Sequence, residues 1–256
     1  MYYNTNTQRE ARMIRRYIAL PLLALIAVPV AACSMSWGDG DGEGVAGQGS
    51  GNERTYAVAD FDQIGLGAAG DVEVRTGGSY SVKAMGDPDQ LDKIVVERDG
   101  KTLKLRRKKG MSWGSGKVRF LVTMPRIEGA DIGGSGTITV DKVSGGSFEG
   151  NIGGSGRLDL RQVAVDKLEF AIGGSGEIAA AGTARSVEVS IGGSGKVRLQ
   201  PLRAETGEVT IAGAGDVQAT ITRTAEVTIM GSGDVTIGGG AKCSVTKMGG
   251  GRVNCG

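Results

Sequence analysis

Gly133-Gly134-Ser135-Gly136 recurs unchanged as Gly153-Gly154-Ser155-Gly156, Gly173-Gly174-Ser175-Gly176 and Gly192-Gly193-Ser194-Gly195. Degenerate copies follow at Ala212-Gly213-Ala214-Gly215, Met230-Gly231-Ser232-Gly233 and Gly249-Gly250-Gly251. Measured at the last glycine, the steps are 20, 20, 19, 20, 18 and 18 residues. Such a period sustained over seven copies means a solenoid. Between the copies the chain alternates, as in Leu158-Asp159-Leu160, Leu168-Glu169-Phe170-Ala171-Ile172, Val187-Glu188-Val189-Ser190-Ile191 and Val227-Thr228-Ile229. Period two with β-branched residues is strand, its apolar set facing one side.

These features predict an all-β fold: a single-stranded, right-handed parallel β-helix with coils of 18–20 residues. Its corners are the Gly-Gly-Ser-Gly turns, whose glycines are expected to accept positive φ. Ile152, Ile172, Ile191, Ile211 and Ile229 should lie one above another at ~4.8 Å, a column no helical period produces. A leucine-rich repeat has a similar length, but its Leu-x-x-Leu-x-Leu pattern and helical segment are not visible. From Arg54 to about Pro125 the repeat is less regular. Residues 64–74 read as an earlier coil, and Tyr80-Ser81-Val82, Ile94-Val95-Val96, Leu103-Lys104-Leu105 and 118–122 as further strands of one continuous domain, 54–256.

The amino end carries an address. Arg12, Arg15 and Arg16 precede a mostly apolar run, 17–32, ending Val30-Ala31-Ala32-Cys33, which reads as an export signal. The run is too short for a comfortable membrane span. The Val-Ala-Ala-Cys ending resembles the lipobox of bacterial lipoproteins. That resemblance implies a signal peptide at 1–32, with diacylglycerol on Cys33 as the first mature residue and a membrane tether through its acyl chains. The alternative is an ordinary cleaved signal that leaves Cys33 a spare thiol. Met13 opens a more compact signal and is a second candidate start. By resemblance to enterobacterial sorting, Ser34 in place of aspartate favours the outer membrane. Residues 33–53, with Gly38-Asp39-Gly40-Asp41-Gly42-Glu43-Gly44, read as a flexible tether.

Composition removes whole chemistries. Among 256 residues there is no histidine, which excludes a Ser-His-Asp triad, a Cys-His dyad and histidine metal sites; three cysteines cannot build a four-cysteine zinc centre. The formal charge of +2 comes from the leader, where four arginines stand against one glutamate. The remainder carries 26 basic against 27 acidic residues, a balance that argues against a nucleic-acid partner. Gly195-Lys196 and Gly116-Lys117 are each followed by valine, so neither is a phosphate-binding loop. Calcium-binding nonapeptides need aspartate where this chain has Ile138, Leu158, Ile178 and Val197. No cofactor and no metal site is implied.

Three constellations remain. Aligned coils place Glu149, Glu169, Glu188, Glu208 and Glu226 at one outward position, flanked two residues on by Asn151, Ala171, Ser190, Thr210 and Thr228. This carboxylate column is either a solvated face, neutralised by Lys167, Arg185, Arg203 and Arg223, or a surface gathering divalent cations or a cationic partner. Equivalent acids on a flat face have no pocket to separate their pKa values, which argues against paired-acid catalysis. Cys243 and Cys255 fall at aligned inward positions in the final coil, so a disulfide is expected in an oxidising envelope, with two reduced core thiols as the alternative. Lys104, Arg106, Arg107, Lys108 and Lys109, just before Trp113, are either a solvated hairpin end or a contact for lipid headgroups or anionic glycans.

The Asp60-Phe61-Asp62 opening, the Val/Ile strand after each Gly-Ser-Gly and the cysteine-containing last coil together resemble the head GIN domain family of auto-transporter adhesins. The resemblance implies a non-catalytic, adhesive or ligand-presenting head on a cell-envelope lipoprotein, recognising an unidentified protein or glycan. The alternatives are a structural or regulatory envelope protein that binds another envelope component, and a β-helical polysaccharide lyase or hydrolase.

Overall fold

The computed structural model describes residues 44–108 and 118–256. Strands β1 (Glu53–Tyr56), β2 (Gln63–Leu66), β3 (Asp71–Thr76) and β4 (Ser81–Met85) come first, followed by the one-turn helix α1 (Pro88–Leu91). Then come β5 (Ile94–Asp99), β6 (Thr102–Arg107), β7 (Arg119–Met124), β8 (Gly129–Ile132) and β9 (Thr137–Val140). The long strands are β10 (Val143–Ile152), β11 (Arg157–Ile172), β12 (Glu177–Ile191), β13 (Lys196–Gly213) and β14 (Asp216–Gly231). The last coil contains β15 (Asp234–Gly238), β16 (Lys242–Met248) and β17 (Arg252–Cys255). Among the described residues no helix is long and apolar enough to cross a membrane.

From β8 onward each coil pairs in parallel with the next, as the repeat predicts. Ile132, Ile152, Ile172, Ile191, Ile211 and Ile229 are register partners in turn, and all are buried. Leu105 and Leu66 extend the same column below them. Beside it, Gly150 stands beneath Phe170. A Cβ at Gly150 would come within 2.6 Å of Leu158 Cδ2 and 2.9 Å of Phe170 Cδ1, so the glycine makes room for the ring in a close-packed lumen.

The corner glycines serve a different purpose from the one expected. None in the four intact Gly-Gly-Ser-Gly copies has φ in the left-handed region; that conformation occurs only in the degenerate copies, at Gly213, Gly231 and Gly249. Stacking is the reason. A Cβ at Gly154 would lie 2.9 Å from the Gly133 oxygen and nearer still to that of Gly134, and one at Gly156 would lie 2.5 Å from Ile132 Cγ2. The corners also carry an unbroken backbone ladder, in which Ser155 N–H donates to Gly134 O (3.1 Å) and Ser175 N–H to Gly154 O (3.0 Å). A side chain there would force the coils apart.

The coils do not stack in chain order at the amino end. β2 lies between β6 and β8, and β3 between β7 and β9, so a coil made of later residues sits beneath the first one. The chain reaches that position by reversing direction. Gly77, at φ 100°, leads out of β3 into β4, which runs antiparallel to both β7 and β1, while β5 runs antiparallel to β6. In α1, Asp87 accepts from Asp89 N–H (2.9 Å) with Pro88 in the first turn, an N-cap that starts the helix abruptly. This antiparallel layer seals the end of the lumen, and Leu103, Leu105, Phe120 and Val122 are fully buried.

Residues 44–53, expected to belong to a free tether, are hydrogen-bonded to this layer. Val45 N–H donates to Val96 O (2.8 Å), and Gln48 and Thr55 exchange both backbone bonds (2.8 Å each). Main-chain bonding to a strand edge needs no apolar side chains, and glycine permits the approach: a Cβ at Gly44 would fall 2.5 Å from Val96 O. The leader, Cys33 and residues 34–43 lie outside the described residues, as does Trp113.

Candidate functional site

Beyond its corners, each regular coil presents flat strand segments whose outward side chains form columns along the solenoid axis. On the side that ends in the isoleucine column, Glu149, Glu169, Glu188, Glu208 and Glu226 are register partners in succession, as the alignment predicted. Gly129 precedes them and Ser244 follows. Adjacent carboxylates are separated by one strand spacing, ~4.8 Å.

Of the four expected counter-cations, one reaches the column. Lys167 Nζ donates to Glu169 and lies 3.5 Å from Glu188 Oε2. The hydrogen bond it donates to Glu169 favours the charged ammonium and raises the lysine's pKa. Arg185 pairs with Asp166 (3.1 Å) and Arg223 with Glu205 (3.1 Å), and Arg203 stands between Thr183 and Thr220. Arg185, Arg203 and Arg223 stand three, five and three residues before Glu188, Glu208 and Glu226, odd spacings that take them off the face that Lys167 shares with Glu169, two residues on. The acid column is therefore largely left to solvent.

At its lower end the column meets a polar cluster that sequence reasoning missed. Asn151 Nδ2 donates to Glu149 Oε1 (2.8 Å) and to Asp131 Oδ1 (2.9 Å), bridging two carboxylates. Asp131 has Gly65 as its register partner on one side and is half-buried, and burial raises its pKa above the ordinary 3.8. The signal was available, since Asp131 precedes Gly133 at the offset by which Asn151 precedes Gly153. Toward the other end a shallow groove of about 520 Å³ runs beside Glu188, Glu208 and Glu226, between Lys167 and Lys242. Behind it, at Gly207, Ile221 fills the inward space a side chain would take, with Cγ1 3.2 Å from the Cβ position.

The adjoining flat side is built oppositely. Its outward column reads Arg157, Glu177, Lys196, Asp216, Asp234 and Arg252. Here Arg157 bonds Glu177 (2.7 Å), Arg252 bonds Asp234 (2.6 Å), and Arg198 also reaches Glu177. Three basic and three acidic residues balance in this column, and opposite charges one strand apart pair, although Asp216 and Asp234 adjoin as like charges. One side is thus a self-paired ladder and the other an acidic strip interleaved with Ser190, Thr210 and Thr228. Such a strip offers hydrogen-bond acceptors to ammonium, guanidinium or other cationic groups. Among the described residues no group of three or more acids or cysteines is placed to hold a metal ion.

Two members of the basic run are paired locally. Lys104 pairs with Asp99 (2.6 Å) and Arg106 with Glu97 (2.9 Å) across the β5–β6 hairpin. Lys109 and Trp113 lie outside the described residues. Cys243 and Cys255 are joined as a disulfide across the last coil.

Solved structures share this architecture. An adhesin from Bacteroides fragilis NCTC 9343, titled putative, is 22% identical, covering 79% of this chain and 95% of its own, with a TM-score of 0.74. A "Putative lipid binding protein" from Parabacteroides distasonis ATCC 8503 is 24% identical over 82% and 98% of the two chains (TM-score 0.66). A putative adhesin from Parabacteroides merdae ATCC 43184 is 20% identical over 84% and 100% (TM-score 0.64). No curated protein matches the chain. The family model described as "Putative auto-transporter adhesin, head GIN domain" matches residues 60–241, well over half of the sequence, and the chain belongs to that family.

Proposed function

We propose that this protein is a cell-envelope lipoprotein whose β-solenoid acts as a non-catalytic adhesive head. The leader and Val30-Ala31-Ala32-Cys33 support an acyl anchor on Cys33, and Ser34 supports the outer membrane as its destination. The family and the neighbouring folds carry adhesin descriptions, in keeping with an envelope-associated or extracellular place. In this reading the recognition surface is the strip of Glu149, Glu169, Glu188, Glu208 and Glu226, and the partner presents cationic groups.

The observation that carries the proposal is the contrast between the two flat sides. A strip of five carboxylates that meets a single lysine among the described residues, beside a ladder that neutralises itself, is a surface with a preferred partner charge. The test combines surface proteolysis of intact cells with adhesion by cells expressing the protein with all five glutamates changed to glutamine. The expected result is cleavage of the domain on intact cells and a loss of adhesion with expression unchanged. Protection from protease would turn the reading toward an internal, structural envelope role. Undiminished adhesion by the variant would remove the glutamate strip as the binding surface.

A further inference from the structure

The two ends of the solenoid are finished differently. At the amino end the last rung is covered by antiparallel strands, and Leu103 and Leu105 are fully buried. At the other end, among the described residues, β16 pairs only with β14 and β17 only with β15, so one edge of each strand carries unpaired backbone groups. The apolar side chains here are open to solvent: Val245 is 46% exposed, Met248 59% and Met230, the register partner of Met248, 37%. Unpaired strand edge and exposed apolar surface at one place mark an interaction surface.

The residues of this coil limit what can cover it. The isoleucine column ends in a charge, since Lys247 is the register partner of Ile229. Another copy of the solenoid stacked on this rung would bury that ammonium among aliphatic groups without a counter-ion, which inward-facing charges on edge strands are known to prevent. Residues 239–256 contain Lys242, Lys247 and Arg252 and no acid. Arg252 is engaged with Asp234 at 2.6 Å, which leaves Lys242 and Lys247 as the charges this edge presents.

We propose that the edge of β16 is a docking strand for an extended acidic segment of a partner protein. The segment adds to the sheet through main-chain hydrogen bonds and places carboxylates against Lys242 and Lys247. These lysines are five residues apart and so lie on opposite faces of the strand. A recognised segment therefore carries two acids at that spacing with an apolar residue between them for Val245. Specificity has two parts: the lysine repels a second copy and attracts a carboxylate. The docking edge meets the glutamate strip at Lys242, which closes one end of the groove beside Glu226, whereas Val245 and Lys247 lie beyond it.

The test needs only the folded, disulfide-bonded chain and two blocked peptides, Thr-Glu-Thr-Thr-Val-Thr-Glu-Val-Thr and its counterpart with both glutamates replaced by lysine. Fluorescence anisotropy should show the acidic peptide binding at least about tenfold more tightly, an advantage that shrinks as salt screens the pairs. Hydrogen exchange should slow at the amides of residues 242–248 and not on the glutamate strip. Lys247→Glu should reverse the peptide preference, while Lys247→Ile should let a second copy take the edge and appear as a dimer in sedimentation. Equal affinity for the two peptides, absence of binding, or protection elsewhere on the solenoid would overturn the proposal. So would a wild-type chain that already sediments as a dimer broken by Lys247→Glu.

Discussion

Replacing Gly154 by alanine and, separately, its neighbour Gly153 by alanine tests why the corners are glycine. Neither position has φ in the left-handed region, so backbone preference treats the two alike. Space does not. Nothing lies within 4 Å of a Cβ at Gly153, whereas one at Gly154 would sit 2.9 Å from Gly133 O, 3.0 Å from the Gly134 carbonyl carbon and closer still to its oxygen. Backbone cannot rotate away as a side chain can, so the coils must part, straining the bond from Ser155 N–H to Gly134 O (3.1 Å). Overpacking costs about 1–3 kcal/mol and a lost backbone bond about 1 kcal/mol, giving about 2–4 kcal/mol for Gly154→Ala. Gly153→Ala removes freedom from the unfolded chain and should stabilise by about 0.4–1 kcal/mol. At about 2–4 °C per kcal/mol for a domain of this size, the two variants should melt about 5–20 °C apart. Urea and thermal unfolding followed by circular dichroism measure the difference. If the two substitutions prove equivalent, stacking is not what selects the corner glycines.

Further expectations concern charge and the last coil. Burial lifts the Asp131 carboxyl in the folded state, so the folded chain holds its proton more tightly than the unfolded one. That contribution to stability is fully present below the unfolded value and is lost as pH rises through the raised folded value. Asp131→Asn should flatten this part of the pH profile in urea titrations, and an unchanged slope would show that another group is responsible. Glu208 stands between Glu188 and Glu226, so Glu208→Gln should raise stability by about a few tenths of a kcal/mol at low salt. The gain should vanish at high salt, and a gain independent of salt would point away from charge repulsion. Changing Cys243 and Cys255 together to serine should lower stability by about 2–3 kcal/mol. Hydrogen exchange should then quicken at 242–255 with little change at 143–172; uniform quickening would mean that the bond supports the whole solenoid.

The regular coils were legible because their two signals agree. Isoleucines recurring at one offset before each Gly-Ser-Gly fix both the strand and its register, and the same alignment places the five glutamates in one column. Spacing says that glycines recur but not whether they serve φ or contact, because the colliding atoms belong to the preceding coil. The insertion of β6 beneath β2 and of β7 beneath β3 was hidden for a related reason: the strands at 102–107 and 119–124 are readable, but parallel neighbours far apart in sequence leave no local mark. The partners of Arg185 and Arg223 escaped because an odd spacing before the glutamates takes both off the acid face, toward Asp166 and Glu205 of their own column. Residues 44–53 misled through composition, since glycine serves both loose chain and close approach, and only the free edge of β5 distinguishes the two.

The out-of-order coil gives assembly a direction. A chain appearing from its amino end presents residues 63–76 long before either neighbour of that coil exists, and both of its edges stay open until residues 102–140 have followed. The part of the domain up to Val140 must therefore close as one knot of contacts that are distant along the chain, which is slow. Each later coil then has a finished template waiting and adds by short-range pairing, as in a zipper whose slider has already been seated.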